Sequence, residues 1–461
     1  MTDEMFLPLS PLDGRYRAQV VPLAKLLSEF GLNKTRIKVE VEWLVFLSAH
    51  SLFGTKALEA TQIRALRALV DDFDEAEAVK LAELESTTKH DVKAVEYYLR
   101  AKLETLAIKG LSELVHFAAT SEDVNNLSYG LNIKAAITQV WLSRVNALLE
   151  NLKALAIANR DLSMLSRTHG QPATPTTLGK ELAVFVHRIQ RVISQIKDTE
   201  FLGKFNGATG TLAAHRISEP SQDWIGLSEE FVEGLGLHWN PLTTQIESHD
   251  WQAELYNRVS HFNRILHNLC TDIWTYISIG YFRQQPQPGA TGSSTMPHKV
   301  NPIRFENAEA NLELSCAVLD SLAATLVTSR LQRDLTDSSA QRNIGVGFGH
   351  SLLAIENVIS GLAELQVDGD RIARDLEDNW EVLAEAIQTV IRAEITAGRS
   401  EISDPYALLK ELTRGKRITP QDLRSFVTDL DIGADAKSRL LALTPAEYTG
   451  FAGQLVDLMD E

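Results

Sequence analysis

The apolar positions of the chain fall into long seams of helical period. From Thr120-Ser121-Glu122-Asp123, a plausible cap, one pattern runs to Asn159 and is interrupted only by Gly130. Within it Trp141, Val145, Leu148, Leu152 and Leu155 recur at alternating steps of four and three. A second pattern is expected to open at Thr174-Pro175, cap followed by proline at the first helical position. It continues through Leu178, Leu182, Phe185, Ile189, Val192 and Ile196. A third carries Leu255, Val259, Phe262, Leu266, Leu269, Ile273 and Tyr276, a fourth Ala308, Leu312, Leu319, Leu322 and Leu326, and a fifth spans about 343–365. Seams near a 3.5 period on helices of this length predict a long bundle packed at shallow crossing angles, with little room for β structure.

The flanks of this region read differently. Before it, Arg36 to Ala49 and Ala57 to Phe73 are helical stretches, Thr88 or His90-Asp91 can begin a helix, and Pro8 to Tyr16 reads as an extended segment and turn. After Val367-Asp368-Gly369-Asp370 the patterns shorten, with breaks at Gly398, Pro405, Gly415, Pro420, Gly433 and Pro445. The expected architecture is all-α, with an N-terminal helical domain over 1–110, the long-helix bundle over 111–366 and a small helical domain over 367–461. The wide apolar faces of the long helices predict that bundles from several subunits pack together.

Composition narrows the partners. Among 461 residues, 44% are hydrophobic and 23% charged, and the net charge is -16 with a pI near 5.3. Nucleic acid and anionic membranes need a positive footprint and are not expected partners. A small anion remains possible if Arg, Lys and His gather locally. Two cysteines, Cys270 and Cys316, imply neither a disulfide framework nor a Cys-type zinc site, and no His or Cys spacing suggests a metal. The acidic start lacks the features of a signal peptide, and no run of about 18 uncharged apolar residues occurs, so a cytoplasmic protein is expected.

The polar clusters fall at the ends of the long patterns. Gly292-Ser293-Ser294-Thr295-Met296-Pro297-His298-Lys299-Val300-Asn301-Pro302 is a small-residue loop whose glycine and prolines forbid helix, with Glu306 just beyond. A surface connection is the bland reading of it. His116 to Asn126 offers hydroxyls and amides at a helix start, suited to a carboxylate, although a cap alone explains them. His169, between Thr168 and Gly170, has an ordinary pKa suited to proton transfer near neutrality. Ser329 to Asn343 holds Arg330, Arg333 and Arg342, either a clamp for carboxylate or phosphate or an internally paired turn with Asp334 and Asp337. Leu412-Thr413-Arg414-Gly415-Lys416-Arg417 is the most basic short run, read as a solvated helix end.

The loop Gly292 to Pro302 resembles the signature of the fumarase/aspartase superfamily. Thr87 to Val92, Thr120 to Asp123, Arg167 to Pro172 and Gln332 to Ser338 are similar to the branch that releases fumarate from adenylosuccinate, giving AMP, and from the succinyl-carboxamide ribotide. The likeness runs nearly end to end. It implies an all-helical homotetramer whose sites are built from several subunits, with neither metal nor cofactor. It also implies Ser293 as general base, His169 as general acid and Glu306 as the carboxylate orienting that histidine. Arg15, Tyr16, Lys89, His90, Asp91, Thr120, Ser121, Gln245, Lys299, Asn301, Asn307, Arg333, Ser338 and Arg342 fall at its substrate-contact positions. Lys89 stands where Asn or Arg is expected, and Ser338 to Arg342 varies inside the clamp. The rivals are a sibling such as argininosuccinate lyase or aspartase, and a structural protein on the same scaffold, as in eye-lens crystallins.

Overall fold

The computed structural model describes residues 8–106, 108, 110–285, 296, 299–413 and 418–460. Helix α1 (Glu29–Ala49) starts earlier than its apolar pattern, at Ser28, whose hydroxyl accepts from the Gly31 amide. Helix α2 (Asp91–Thr105) begins at His90, whose Nδ1 accepts from the Lys93 amide. The long first pattern is α3 (Ser121–Ala135), a π turn over Ala136–Trp141 and α4 (Leu142–Ala158). The remaining long patterns become α5 (Leu178–Lys197), α6 (Asp250–Ser278), α7 (Ile303–Leu326) and α9 (Ile344–Ala363), with the short α8 (Thr336–Gln341) between the last two. The all-α expectation holds: the described strands form only three two-stranded ribbons.

One helix start is corrected. Residues placed in the first turn after Thr174-Pro175 instead belong to β2 (Gln171–Thr177), which pairs antiparallel with β1 (Ser163–Thr168). Pro172 and Pro175 are tolerated because a two-stranded ribbon has open edges that need no donor. The true cap is Thr177, whose hydroxyl accepts from the Lys180 amide at 3.2 Å. A threonine and a proline carry the signal of a helix start, but Thr174, Thr176 and Thr177 also fit a strand, and pairing with β1 decided it.

The chain divides into two compact units. The first comprises 1–145, 192–264 and 308–356, the second 146–191, 265–307 and 357–461, so α4, α5, α6, α7 and α9 each contribute to both. In the first unit the apolar seams enclose a buried polar relay. Trp141 Nε1 donates to Ser351 Oγ at 2.9 Å, Ser351 to Asn263 Oδ1 at 2.8 Å, Asn263 Nδ2 to Ser315 Oγ at 2.9 Å, and Ser315 to the Gly347 carbonyl at 2.7 Å. All four side chains are buried, so each group must find its partner here, and the relay fixes the register of α6, α7 and α9. Gly347 lets α9 approach α7, since a Cβ there would lie 2.8 Å from Leu319 Cδ2.

The second unit has its own core around Trp380, Leu383, Ile387, Ile391, Leu423 and Val427. Its close approach is at Gly361, where a Cβ would lie 2.8 Å from Phe305 Cζ. The stretch Thr336–Ala363 is long and apolar enough to cross a membrane by length and composition, but 67% of its most apolar window is buried in the protein, as a core helix would be.

Replacing Asn263 by leucine keeps the volume and strands the hydroxyl of Ser351. Urea unfolding of Asn263→Leu is expected to show a loss of about 2 kcal/mol, with the slope of the transition unchanged.

Candidate active site

Most of the expected substrate contacts lie in the first unit, and Asp91, Arg333, Ser338 and Arg342 among them share one chain of ion pairs and hydrogen bonds. Arg36, in the middle of α1, is 2% exposed. Its guanidinium donates to Asp91 Oδ2 at 2.7 Å, Asn125 Oδ1 at 2.9 Å and Asn33 Oδ1 at 2.9 Å. Asp91 also receives Arg342 at 3.0 Å, and Arg342 pairs in addition with Glu29. Burial pushes the Asp91 carboxyl up, but the charges of Arg36 and Arg342 and the Val92 amide outweigh it and hold the group below its ordinary value.

The chain continues from Asn125, whose amide donates to Glu122 Oε1 at 2.7 Å. That same oxygen meets Arg333 at 2.8 Å, and Arg333 reaches Ser338 Oγ at 3.2 Å. Asp337 beside it lies 3.5 Å from Nε2 of the buried His249. Burial raises the Asp337 carboxyl, while His249 and Arg333 together hold it below the usual range. Arg330, in contrast, is turned to Asp334 at 3.0 Å and is 81% exposed, so only Arg333 and Arg342 of the three arginines join the network.

The helix start at Thr120-Ser121 is held from beneath. Asp123 is fully buried and accepts from Thr120 N at 2.8 Å, Lys204 Nζ at 2.8 Å, Asn206 N at 2.9 Å and Gly207 N at 3.0 Å. The glycine-bearing segment 203–207 thus serves as the floor of this helix end. Gln245 is tied to the same region through the Ala208 carbonyl at 2.8 Å. His116 sits in a left-handed conformation, φ 57°, gripped by Glu40 through both Nδ1 at 2.6 Å and the backbone N–H at 2.9 Å.

The N-terminal residues and α2 complete this half. Arg15 lies over the Tyr16 ring at 5.9 Å, and Tyr16 packs on Leu12, Val20 and Leu353. Arg342, Ser10, Leu12, Asp13, Ser28 and Gly349 are among the residues that line a cavity of about 220 Å³. Lys89 caps the preceding helix in the left-handed region, φ 53°, which leaves its side chain and that of His90 exposed.

The second unit holds the other candidates. His169 and Gly170 form the tip of the β1–β2 hairpin with φ 53° and 75°, the two positive angles that a tight two-residue turn requires, and the imidazole is exposed. Two residues before it, Arg167 anchors the hairpin through Asp375 at 2.6 Å, which also accepts from the Tyr281 hydroxyl. Lys299, Asn301, Glu306 and Asn307 lead into and through the first turn of α7. Glu306 Oε1 accepts from Trp274 Nε1 at 3.1 Å. Gly292, Ser293, Ser294, Thr295, Pro297 and His298, like Arg414 to Arg417, lie outside the described residues.

Sequence reasoning passed over Arg36, Glu122, Lys204, His249 and Trp274. Arg36 was findable: it is a cation among Ile37, Val39 and Val41 on a helix whose other face is charged. Nothing in the sequence pairs Glu122 with Arg333, more than two hundred positions away. Among the described residues no group of three His, Cys, Asp or Glu could hold a metal ion. The arrangement gathers arginines that are each paired with a carboxylate, buried in the case of Glu122, and a helix start with oriented amides, which suits an anion carrying several carboxylate or phosphate oxygens.

An all-α chain of this kind, with its polar clusters at helix ends, matches solved enzymes in fold. A fumarate lyase from Mesorhizobium sp. BNC1 superposes with a TM-score of 0.75 at 20% identity over 95% of this chain and 96% of that one. A 3-carboxy-cis,cis-muconate lactonizing enzyme from Pseudomonas putida gives 0.74 at 21% identity over 96% and 97%. The chain therefore shares the fold of these two enzymes.

The lyase family model matches residues 14–318, and the model of the adenylosuccinate lyase C-terminal region matches 329–449. Adenylosuccinate lyase of Escherichia coli K12 is 49% identical over 97% of this chain and 98% of its own length, and that of Haemophilus influenzae 48% over the same shares. The chain belongs to the adenylosuccinate lyase family.

The His116–Glu40 pair gives a pH test. Burial lowers the imidazole pKa, yet the hydrogen bond and charge of Glu40 outweigh it and raise the group above its ordinary 6.5. A raised folded value stabilises fully below 6.5 and is lost as pH rises through the raised value. The stability gap between wild type and Glu40→Gln is therefore expected to be larger at pH 5.5 than at pH 9, read from thermal or urea unfolding at both.

Proposed function

We propose a division of labour among these residues for the reaction that family membership assigns. The chain is a carbon–nitrogen lyase of purine nucleotide biosynthesis. It eliminates fumarate from adenylosuccinate to leave AMP, and from the succinyl-aminoimidazole-carboxamide ribotide to leave its amine. The observation that carries this reading is identity near 49% sustained over 97% of the chain.

In the proposed mechanism Ser293 removes the proton from the succinyl carbon next to a carboxylate, and His169 protonates the departing nitrogen as the C–N bond breaks. Such a carbon acid is weak, so the carbanion-like transition state needs dense cationic and amide stabilisation. Lys299 and Asn301 supply it beside the reacting carbon. Thr120, Ser121 and Gln245 hold the fumaryl carboxylates, while Arg15, Tyr16, Lys89, His90, Asp91, Arg333, Ser338 and Arg342 address the nucleotide. Asn307 is a further contact, and Glu306 orients the imidazole. The exposed position of His169 on its hairpin fits a homotetramer in which its pair with Glu306 forms between subunits. The enzyme acts in the cytoplasm.

Fumarate release, followed by absorbance with adenylosuccinate, argininosuccinate and aspartate offered separately, is expected only with the first. Release from either of the others, or from none, would overturn the assignment.

Ser293→Ala and His169→Ala are each expected to lower kcat by at least about a thousandfold while the oligomer stays intact by sedimentation. Mixing the two inactive proteins should restore partial activity. Subunits that exchange and remain inactive would rule out sites shared between chains.

A further inference from the structure

Glu306 stands in the first turn of α7, exposed, and its Oε1 accepts a 3.1 Å hydrogen bond from the indole Nε1 of Trp274 on α6. The indole N–H is the single polar group of that side chain and can only donate. Trp274 is 43% exposed, unusual for so large an apolar group, and Ile303, one turn before Glu306, is 61% exposed. Within one chain the tryptophan does not fill a core. Its ring stands beside Glu306 at an apolar rim and directs its donor at one carboxylate oxygen.

We infer that Trp274 is a positioning residue for the lyase reaction: its N–H fixes the carboxylate of Glu306 so that the second oxygen, Oε2, is aimed at the catalytic imidazole. This deepens the reading of Glu306 given above and rests on it. A glutamate has three rotatable side-chain bonds, and at an exposed helix start nothing in its own backbone selects one rotamer. Hydrogen bonds to a charged acceptor are stronger than neutral ones, and holding Oε1 leaves the plane of the carboxylate little freedom. A general acid whose orienting group swings loses the near-attack geometry on which its rate depends.

The test uses the full-length oligomer. Trp274→Phe keeps the aromatic ring and removes the donor; kcat is expected to fall about tenfold with KM within about twofold, and the unfolding midpoint to stay unchanged. Trp274→His, which retains a ring N–H, should recover part of the loss, an outcome that a packing role would not produce. In a Glu306→Ala background, which lacks the carboxylate, adding Trp274→Phe should lower kcat no further.

Wild-type kcat in Trp274→Phe, or effects of Trp274→Phe and Glu306→Ala that multiply, would overturn the inference and leave the role of Glu306 standing. Undiminished kcat in Glu306→Ala would instead remove that role, and with it the object that Trp274 is inferred to position.

Discussion

The buried carboxylate of Asp123 is the constraint around which the first unit is arranged. With no solvent contact, an unpaired Asp123 or Lys204 would cost several kcal/mol, so neither can be present without the other. Their pairing ties the segment 203–207 to the start of α3, and the backbone amides of Thr120, Asn206 and Gly207 converge on the same two oxygens. Thr120 and Ser121 are thereby presented at a helix end that cannot shift as long as the pair holds.

The same rule of satisfied interior charge shapes the arginine clamps. Arg36 is buried because Asp91, Asn125 and Asn33 accept its donors, and this one guanidinium links the helix that begins at His90 to the helix that begins at Ser121. Arg333 and Arg342 each give part of their fork to protein carboxylates. What remains is oriented before any ligand arrives, so little reorganisation accompanies binding. A chain of net charge -16 can in this way hold several arginines on one network.

Helix packing sets the distances among these ends. The relay from Trp141 through Ser351, Asn263 and Ser315 fixes how far α6, α7 and α9 can slide, and Gly347 and Gly361 bring α9 close to α7. An apolar interior alone would tolerate register slips, whereas polar groups that lose their partners on slipping do not. Loops that begin and end these helices inherit that precision.

How much was legible from the chain differs by physical origin. The long helices were legible because the seam of apolar residues is itself the packing surface, and His90 and Thr120 were readable as helix starts because capping is local. The signature Gly292 to Pro302 and the clusters around His90, Thr120, His169 and Arg333 named the family before any coordinates. The hairpin at His169 was not legible, since Thr-Pro-Thr-Thr satisfies both a helix start and a strand until β1 lies beside it. Nor were the partners of Asp123, Glu122 or Glu306. A hydrogen bond between side chains distant in sequence leaves no periodic trace, and Lys204, Arg333 and Trp274 found theirs only when the helices packed. Sequence alone determined the long helices and the chemical groups near their ends; tertiary structure decided the hairpin at His169 and which charge meets which, because both depend on distances only packing sets.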